Sequence, residues 1–315
     1  MKNTLDVIII GGGISAHSAA IYNARASLNP LVIAGFEPDQ LSLTTQVENY
    51  PGFPEGIMGP DLIVNCKKQA EKFGAKYIME KAENFEIKDD YFEVKTDKNA
   101  YRARSVIIST GASARRLGIP GEDKYFGRGV STCAVCDAAF YKDKIAVVVG
   151  GGDSAMEESL ALYKFAKKIT IIHRKDNFNA SQIMQDRILK MVKAKDKIDI
   201  LWNTKVTEVL GDKFVTGLKI VNNKTDKEGE IKTDGMFLAI GHIPNTGIFQ
   251  GKIELDKMGY IITDKLQRTN VPGVFAAGDV QDHIFRQAAT SAGTGVAAAI
   301  LAERYLEDLQ NKGKY

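Results

Sequence analysis

The chain has 315 residues, 44% of them hydrophobic and 26% charged, the balance of an ordinary globular protein with room for one large or two medium domains. A formal net charge of +3 with no long run of like charge argues against a nucleic-acid-binding protein, and no apolar run approaches the ~20 residues that span a bilayer. Three cysteines, two of them close together, are too few for a secreted disulfide framework; with residues 1–6 running straight into a strand, the expectation is a cytoplasmic chain without a cleavable leader.

Residues 4–10 (Thr-Leu-Asp-Val-Ile-Ile-Ile) predict a buried parallel strand. Gly11-Gly12-Gly13-Ile14-Ser15-Ala16 follows as a G-x-G-x-x-A turn, then an Ala-rich helix over 14–26 and a second strand over 31–34. In that context the motif binds dinucleotides. Gly11 and Gly13 let the backbone approach a pyrophosphate, and the helix start at Ser15 and Ala16 offers free N–H groups and a positive dipole end. Glu37, just past the second strand, is placed to hold a ribose 2′-hydroxyl. Residues 36–61 form a long loop carrying Gln40-Leu41 and Asn49-Tyr50-Pro51-Gly52, and its aromatic and amide content argues for packing against a ligand. A helix over 59–73 carries Cys66, expected as a small buried hydrophobe. Strands over 83–87 and 91–96 lead to another buried strand that ends in Thr110-Gly111.

Past 115–120 the chain enters a different unit. Cys133-Ala134-Val135-Cys136-Asp137 lies there, a spacing that closes a tight disulfide or opens to a reactive dithiol, with a carboxylic acid near enough to move a proton. The opening plan then repeats. A strand over 144–149 runs into Gly150-Gly151-Gly152-Asp153-Ser154-Ala155, a helix reaches about 165, and a strand follows over 168–172. A meander over 205–234 precedes a strand that ends at Ile240-Gly241 and mirrors the one ending at Gly111. Two copies of one plan imply two dinucleotide-binding domains. They differ after their second strands, where Glu37 in the first copy is matched by His173-Arg174-Lys175 in the second. An acid suits a free ribose hydroxyl and bases suit a 2′-phosphate, so the second copy is expected to hold NADP(H). Near the C-terminus a short buried strand ends in Gly278-Asp279, and Arg286-Gln287-Ala288 opens a long helix from 289 to about 309, a grouping suited to a ribitol hydroxyl and a flavin edge.

Taken together, Gly11–Ala16, Val47–Gly52, Thr110–Arg115, Cys133–Asp137, Gly150–Glu158, Ala239–Asn245 and Gly278-Asp279 with Arg286-Gln287-Ala288 closely resemble the low-molecular-weight thioredoxin reductases of bacterial and fungal type. These belong to the FAD- and NAD(P)H-dependent pyridine nucleotide-disulfide oxidoreductases. The resemblance covers essentially the whole chain. It implies an α/β protein of two Rossmann-like, three-layer ββα domains, the second inserted into the first. Residues 1–115 with 246–315 would bind FAD, and 116–245 would bind NADPH and carry the cysteines. It implies a homodimer that reduces thioredoxin or a thioredoxin-like protein, with hinges near 113–118 and 242–247. Cys136 would face the flavin, Cys133 would attack the substrate disulfide, and Asp137 would act as acid and base. The cofactor-binding role carries over to Gln40, Leu41, Asn49, Thr110 and Gly111, and to Gly278, Asp279, Arg286, Gln287 and Ala288. In the second copy it carries over to Gly150, Gly152, Asp153, Ser154, His173, Arg174, Lys175, Ile240 and Gly241.

The chain departs from the family in three places. Pro38-Asp39 replaces a Gly-Gly pair in the FAD loop; Lys175 and Asn179 replace arginines of the basic cluster; Ala138-Ala139-Phe140 replaces a Gly-aromatic surface beside the cysteines. The second departure leaves NADH open as donor, and the same scaffold also serves reductases fed by ferredoxin or deazaflavin and low-molecular-weight dithiol oxidases. A rival from another class is a nucleotide-binding sensor whose Cys-x-x-Cys holds zinc. Zinc normally takes four ligands, whereas the chain has a single such pair and scattered histidines at 17, 173, 242 and 283, so no metal is expected.

Overall fold

A computed structural model describes residues 4–44, 46–194 and 197–313; residues 1–3, on which the expectation about a leader bears, lie outside the described residues. The chain divides into two compact units, Met1–Ser113 with Ile243–Tyr315, and Ala114–His242. In chain order the first unit opens with β1 (Thr4–Ile10), α1 (Ile14–Arg25) and β2 (Leu31–Ile33). A small ribbon, β3 (Gln46–Val47) with β4 (Ile57–Met58), lies inside the long loop, and α2 (Gly59–Lys72), β5 (Lys76–Ile78), β6 (Ala82–Ile87), β7 (Phe92–Thr96) and β8 (Ala100–Ile108) follow. After β9 (Ala112–Ala114) come β10 (Val130–Ser131), α3 (Ala134–Asp137), β11 (Ile145–Gly150), α4 (Asp153–Tyr163), β12 (Lys168–Ile172), α5 (Gln182–Lys193) and β13 (Ile198–Leu201). The antiparallel strands β14 (Thr204–Gly211), β15 (Val215–Asn222) and β16 (Glu228–Lys232) precede β17 (Gly235–Ala239). The chain returns through β18 (His242–Pro244) to β19 (Val274–Ala276) and α6 (Ala288–Asn311).

In the first unit β1 lies parallel between β2 and β8. Val7–Ile10 are buried on both faces, which is why the strand is an unbroken apolar run rather than an alternating one. Strand β8 is shared along its length. Its first half pairs antiparallel with β7, and its second half pairs parallel with β19 from the far end of the chain. One face of the sheet packs on α1 and α6, where the alanines of α1 and Ala298, Ala299 and Ala302 meet Val7, Ile9 and Ile107. The approach is close enough that a Cβ on Gly295 would stand 2.2 Å from the Ser15 carbonyl oxygen. On the other face Ile8, Ile10, Val106 and Ile108 pack on Phe85, Phe92 and Phe249.

The second unit has the same order. Strands β13-β12-β11-β17-β10 form a parallel sheet that matches β5-β2-β1-β8-β19 strand for strand. Met156, Leu162, Ile169 and Ile188 build the core under α4 and α5, and Val206, Val209, Val215 and Leu218 build the core under the antiparallel layer. Each unit is thus a helix layer, a parallel sheet and an antiparallel layer, the three-layer arrangement that the resemblance implies. Helix α5 and strand β13 stand where no element was expected from sequence; the apolar face of α5 contributes one fully buried side chain, Ile188, too sparse a signal to read as a core helix.

Candidate active site

Each glycine turn links the end of a central strand to a helix, and both turns are built alike. Gly11 has φ 130°, and a Cβ there would stand 2.1 Å from the Ser109 carbonyl oxygen at the end of β8. A Cβ on Gly150 would stand 2.3 Å from the Ala239 oxygen at the end of β17. The middle glycines, which the motif leaves free, are equally constrained. A Cβ on Gly12 would meet the Ala34 oxygen at 2.9 Å, and one on Gly151 would strike the His173 ring at 2.2 Å. The residue after each second strand therefore rests on the turn, and the triple glycine follows from that packing. Gly13 and Gly152 are the N-caps of α1 and α4 and provide no side-chain cap. The first-turn N–H groups are thus left for an external acceptor.

Around the first turn, residues far apart in sequence converge. Gly278 lies against Ser15: a Cβ at Gly278 would come 2.6 Å from the Ser15 hydroxyl. The Gly278 N–H donates to Thr294 Oγ1 at 2.9 Å, and the Ser291 hydroxyl donates to Asp279 Oδ1 at 2.9 Å. Burial pushes the Asp279 carboxyl up to about 6, against the Ser291 hydrogen bond, with Asp282 adding to the rise and Arg286 opposing it. Arg286 adopts φ 48°, a left-handed conformation uncommon outside glycine and enriched at ligand sites. Asn49 Nδ2 donates to Gln287 Oε1 at 3.2 Å, joining the long loop to the start of α6, and residues 48–54 bound an open groove of about 360 Å³. Leu41, Tyr50 and Phe53 pack with Ile14, Leu62 and Ala292. Asp39 accepts hydrogen bonds from the Leu41 and Ser42 N–H groups at 3.0 and 3.2 Å and so shapes the loop where the family has two glycines. Glu37 and Gln40 are exposed. Thr110 Oγ1 donates to the Asn245 carbonyl oxygen at 2.8 Å, and Asn245 Nδ2 donates back to the Thr110 oxygen at 2.9 Å. Asn245, named in the sequence only as part of a motif, thereby ties down the Thr110-Gly111 turn.

In the second unit His173 is 6% exposed and lies inward, against Gly151 and packed with Phe178 and Trp202. It supports the turn from beneath, and burial holds its pKa down. Arg174 and Lys175 face outward, both exposed, and neither side chain has a carboxylate partner among the described residues. Asp153 Oδ1 accepts from the Ser181 N–H and hydroxyl at 2.9 and 2.7 Å, which keeps its carboxyl below the usual range. Together with the Asn179 N–H donating to the Gly151 oxygen at 2.7 Å, this clips the basic loop to the start of α4. Ser154 opens α4 on the next position. Ile240 packs in the core beneath the antiparallel layer, and Gly241, φ 96°, accepts from the Arg115 N–H at 2.9 Å.

Cys133 and Cys136 are joined as a disulfide with their Cα atoms 5.3 Å apart. Cys133 is the N-cap of α3, and its Sγ accepts the Cys136 N–H at 3.2 Å. Ser131, on the edge strand β10, was not singled out from sequence. Its hydroxyl oxygen accepts the Cys133 N–H at 3.1 Å. Burial raises the Asp137 pKa, and the Ser131 side chain opposes the rise. Cys136 and Val135 are exposed, Cys133 and Phe140 half-buried. Among the described residues no group of three or more His, Cys, Asp or Glu side chains is arranged to hold a metal ion, and Cys66 is a half-buried free thiol. No helix among the described residues is long and apolar enough to cross a membrane.

Two dinucleotide turns on one repeated fold, with a cysteine pair beside the second, define a pyridine-nucleotide-linked disulfide oxidoreductase. The sequence pattern of the pyridine nucleotide-disulphide oxidoreductase family matches residues 5–295, and the chain belongs to that family, among its thioredoxin reductases. It is 48% identical over 314 residues to the thioredoxin reductase of Streptomyces clavuligerus, covering 98% of this chain and 96% of the relative. It is 49% identical over 312 residues to that of Rickettsia conorii, covering 97% and 99%. Among solved structures, thioredoxin reductase from Streptococcus pyogenes superposes with a TM-score of 0.91 at 41% identity, over 98% of this chain and all of that one. That from Giardia duodenalis gives 0.91 at 39% identity, over 97% and 99%. Membership implies flavin and nicotinamide cofactors.

Proposed function

We propose that the chain is a thioredoxin-disulfide reductase that takes electrons from NADPH, passes them through FAD to the Cys133–Cys136 disulfide and hands them to thioredoxin or a thioredoxin-like protein. The observation that carries this reading is the disulfide itself, closed across α3, with a carboxyl whose pKa burial raises on the residue that follows Cys136. The first turn fits the pyrophosphate of FAD, since Gly13 leaves the start of α1 uncapped. Gly111, Asp279, Arg286 and Gln287 surround the same side of the unit and would hold the rest of the cofactor. Bound FAD supplies the two-electron transfer between nicotinamide and disulfide. The second turn and Arg174 and Lys175 would hold NADPH, the two cations reading the 2′-phosphate.

The chain's own residues then complete the exchange. Once the disulfide is reduced, the Cys136 N–H aimed at Cys133 Sγ and the start of α3 favour a thiolate on Cys133. That thiolate attacks one sulfur of the substrate disulfide and the other sulfur leaves as a thiolate, protonated by Asp137. Asp137 deprotonates Cys136, which attacks Cys133 Sγ and re-forms the enzyme disulfide; the second substrate sulfur leaves as a thiolate and takes that proton from Asp137, which completes the substrate dithiol. Exposed Val135 and half-buried Phe140 supply apolar surface beside the pair for docking. The reading includes a cytoplasmic homodimer, taken from the resemblance and testable by light scattering. For the relay, Cys133→Ser and Cys136→Ser are each expected to cut thioredoxin reduction by on the order of a thousandfold or more. Anaerobic bleaching of the flavin by NADPH should stay intact. A Cys136→Ser enzyme that still reduced thioredoxin would remove the dithiol from the pathway.

A further inference from the structure

The loop that carries Arg174 and Lys175 also carries an acid, Asp176, one residue further on. All three are exposed, so a ligand phosphate held by the two cations would lie close to a carboxylate. The antiparallel layer answers this charge. From the turn between β15 and β16, Lys224 Nζ reaches Asp176 Oδ2 at 2.9 Å. The neighbouring Asn223 Nδ2 donates to the Arg174 carbonyl oxygen at 2.9 Å, and the Asn223 N–H donates to the Asn203 oxygen. The Asn203 N–H in turn donates to the Lys175 oxygen at 3.1 Å. The backbone of the basic loop is thus strapped to the turn between β13 and β14 and to the turn between β15 and β16, with an ion pair at its tip. The pairing with Lys224 holds the Asp176 carboxyl below its usual range.

We infer that Lys224 is a positioning residue for the adenosine 2′-phosphate of the nicotinamide cofactor: it occupies Asp176, so that the charge facing the phosphate is that of Arg174 and Lys175. The inference rests on the proposed reading of NADPH by those two residues. An exposed ion pair adds little to stability; its effect here is on the local field. A released carboxylate on the loop that would hold a phosphate of about two negative charges would repel it by an amount that survives partial screening. The usual third arginine of this loop is Asn179, which makes the balance of the remaining charges count for more.

The test is calorimetric titration of the flavin-loaded protein with 2′,5′-ADP, which carries the 2′-phosphate, and with 5′-AMP, which does not. Lys224→Ala is expected to weaken 2′,5′-ADP roughly three- to tenfold and to leave 5′-AMP unchanged. Asp176→Asn should bind 2′,5′-ADP at least as tightly as the wild type. The double variant should return to within about twofold of it, because the released carboxylate is gone. A purely structural strap would not be rescued in this way. Unchanged 2′,5′-ADP affinity in Lys224→Ala, or a double variant as weak as Lys224→Ala, overturns the role of Lys224. A wild type that binds 2′,5′-ADP no better than 5′-AMP overturns instead the NADPH reading beneath it.

Discussion

A carboxyl that keeps its proton to about pH 6 works against its own fold once it ionises. Asp279 is in that position, chiefly because burial disfavours its charge. Its pKa is raised on folding, so its stabilising contribution is complete below the unfolded value of 3.8 and is lost as pH rises through about 6. Asparagine is neutral throughout. Asp279→Asn in the flavin-free protein is therefore expected to match the wild type near pH 4 and to exceed its stability by on the order of 2 kcal/mol above pH 7. Chemical denaturation at the two pH values checks this; a constant difference would mean that the Ser291 hydrogen bond outweighs burial. At this scale the sequence was informative where chemistry is local. Two cysteines three positions apart lie on one tight turn and suit a disulfide or a dithiol, and the structure closes them as a disulfide. Ser131 was invisible, because its bond to the Cys133 N–H depends on where the edge strand β10 ends.

Among elements, the two triple-glycine turns do different work at each position. Gly151 is required by the fold, since any Cβ there meets the His173 ring. Gly152 has open space around it and an extended backbone, so the fold does not require glycine there, and the proposed nucleotide site is what would. Gly151→Ala is expected to destabilise the protein by about 1–3 kcal/mol. Gly152→Ala should cost less than about 1 kcal/mol while weakening 2′,5′-ADP at least tenfold. Urea denaturation beside the same titration separates the two; equal stability losses would mean that the His173 support can give way. Periodicity placed β1, α1, α2, β11, α4 and β12 within a few residues of their ends, because each buries a continuous face. The stretch holding α5 and β13 did not declare itself: α5 lies on the surface with one fully buried side chain, and propensity alone does not distinguish such a helix from a loop.

For the whole molecule, the two units differ in how they are written in the chain. Ala114–His242 is continuous and has its own cores around Phe237 and Leu218. The first unit needs both ends of the chain, since β19 pairs with β8 and α6 packs on α1. Residues 114–242 expressed alone are therefore expected to fold cooperatively and to bind 2′,5′-ADP within a few fold of the full chain. A non-cooperative melt by circular dichroism would show that the unit depends on the rest of the protein.

By itself the sequence determined the strand–turn–helix repeats, the cysteine pair and the contrast between Glu37 and Arg174-Lys175. Each depends on neighbours within a few positions, where backbone geometry and side-chain chemistry leave little choice. Only the tertiary structure decided what stands around them. His173 under Gly151, Asn245 on Thr110, and Asn223 and Lys224 at the tip of the basic loop come from separate elements. Their meeting depends on strand order and register, which one chain read locally does not specify.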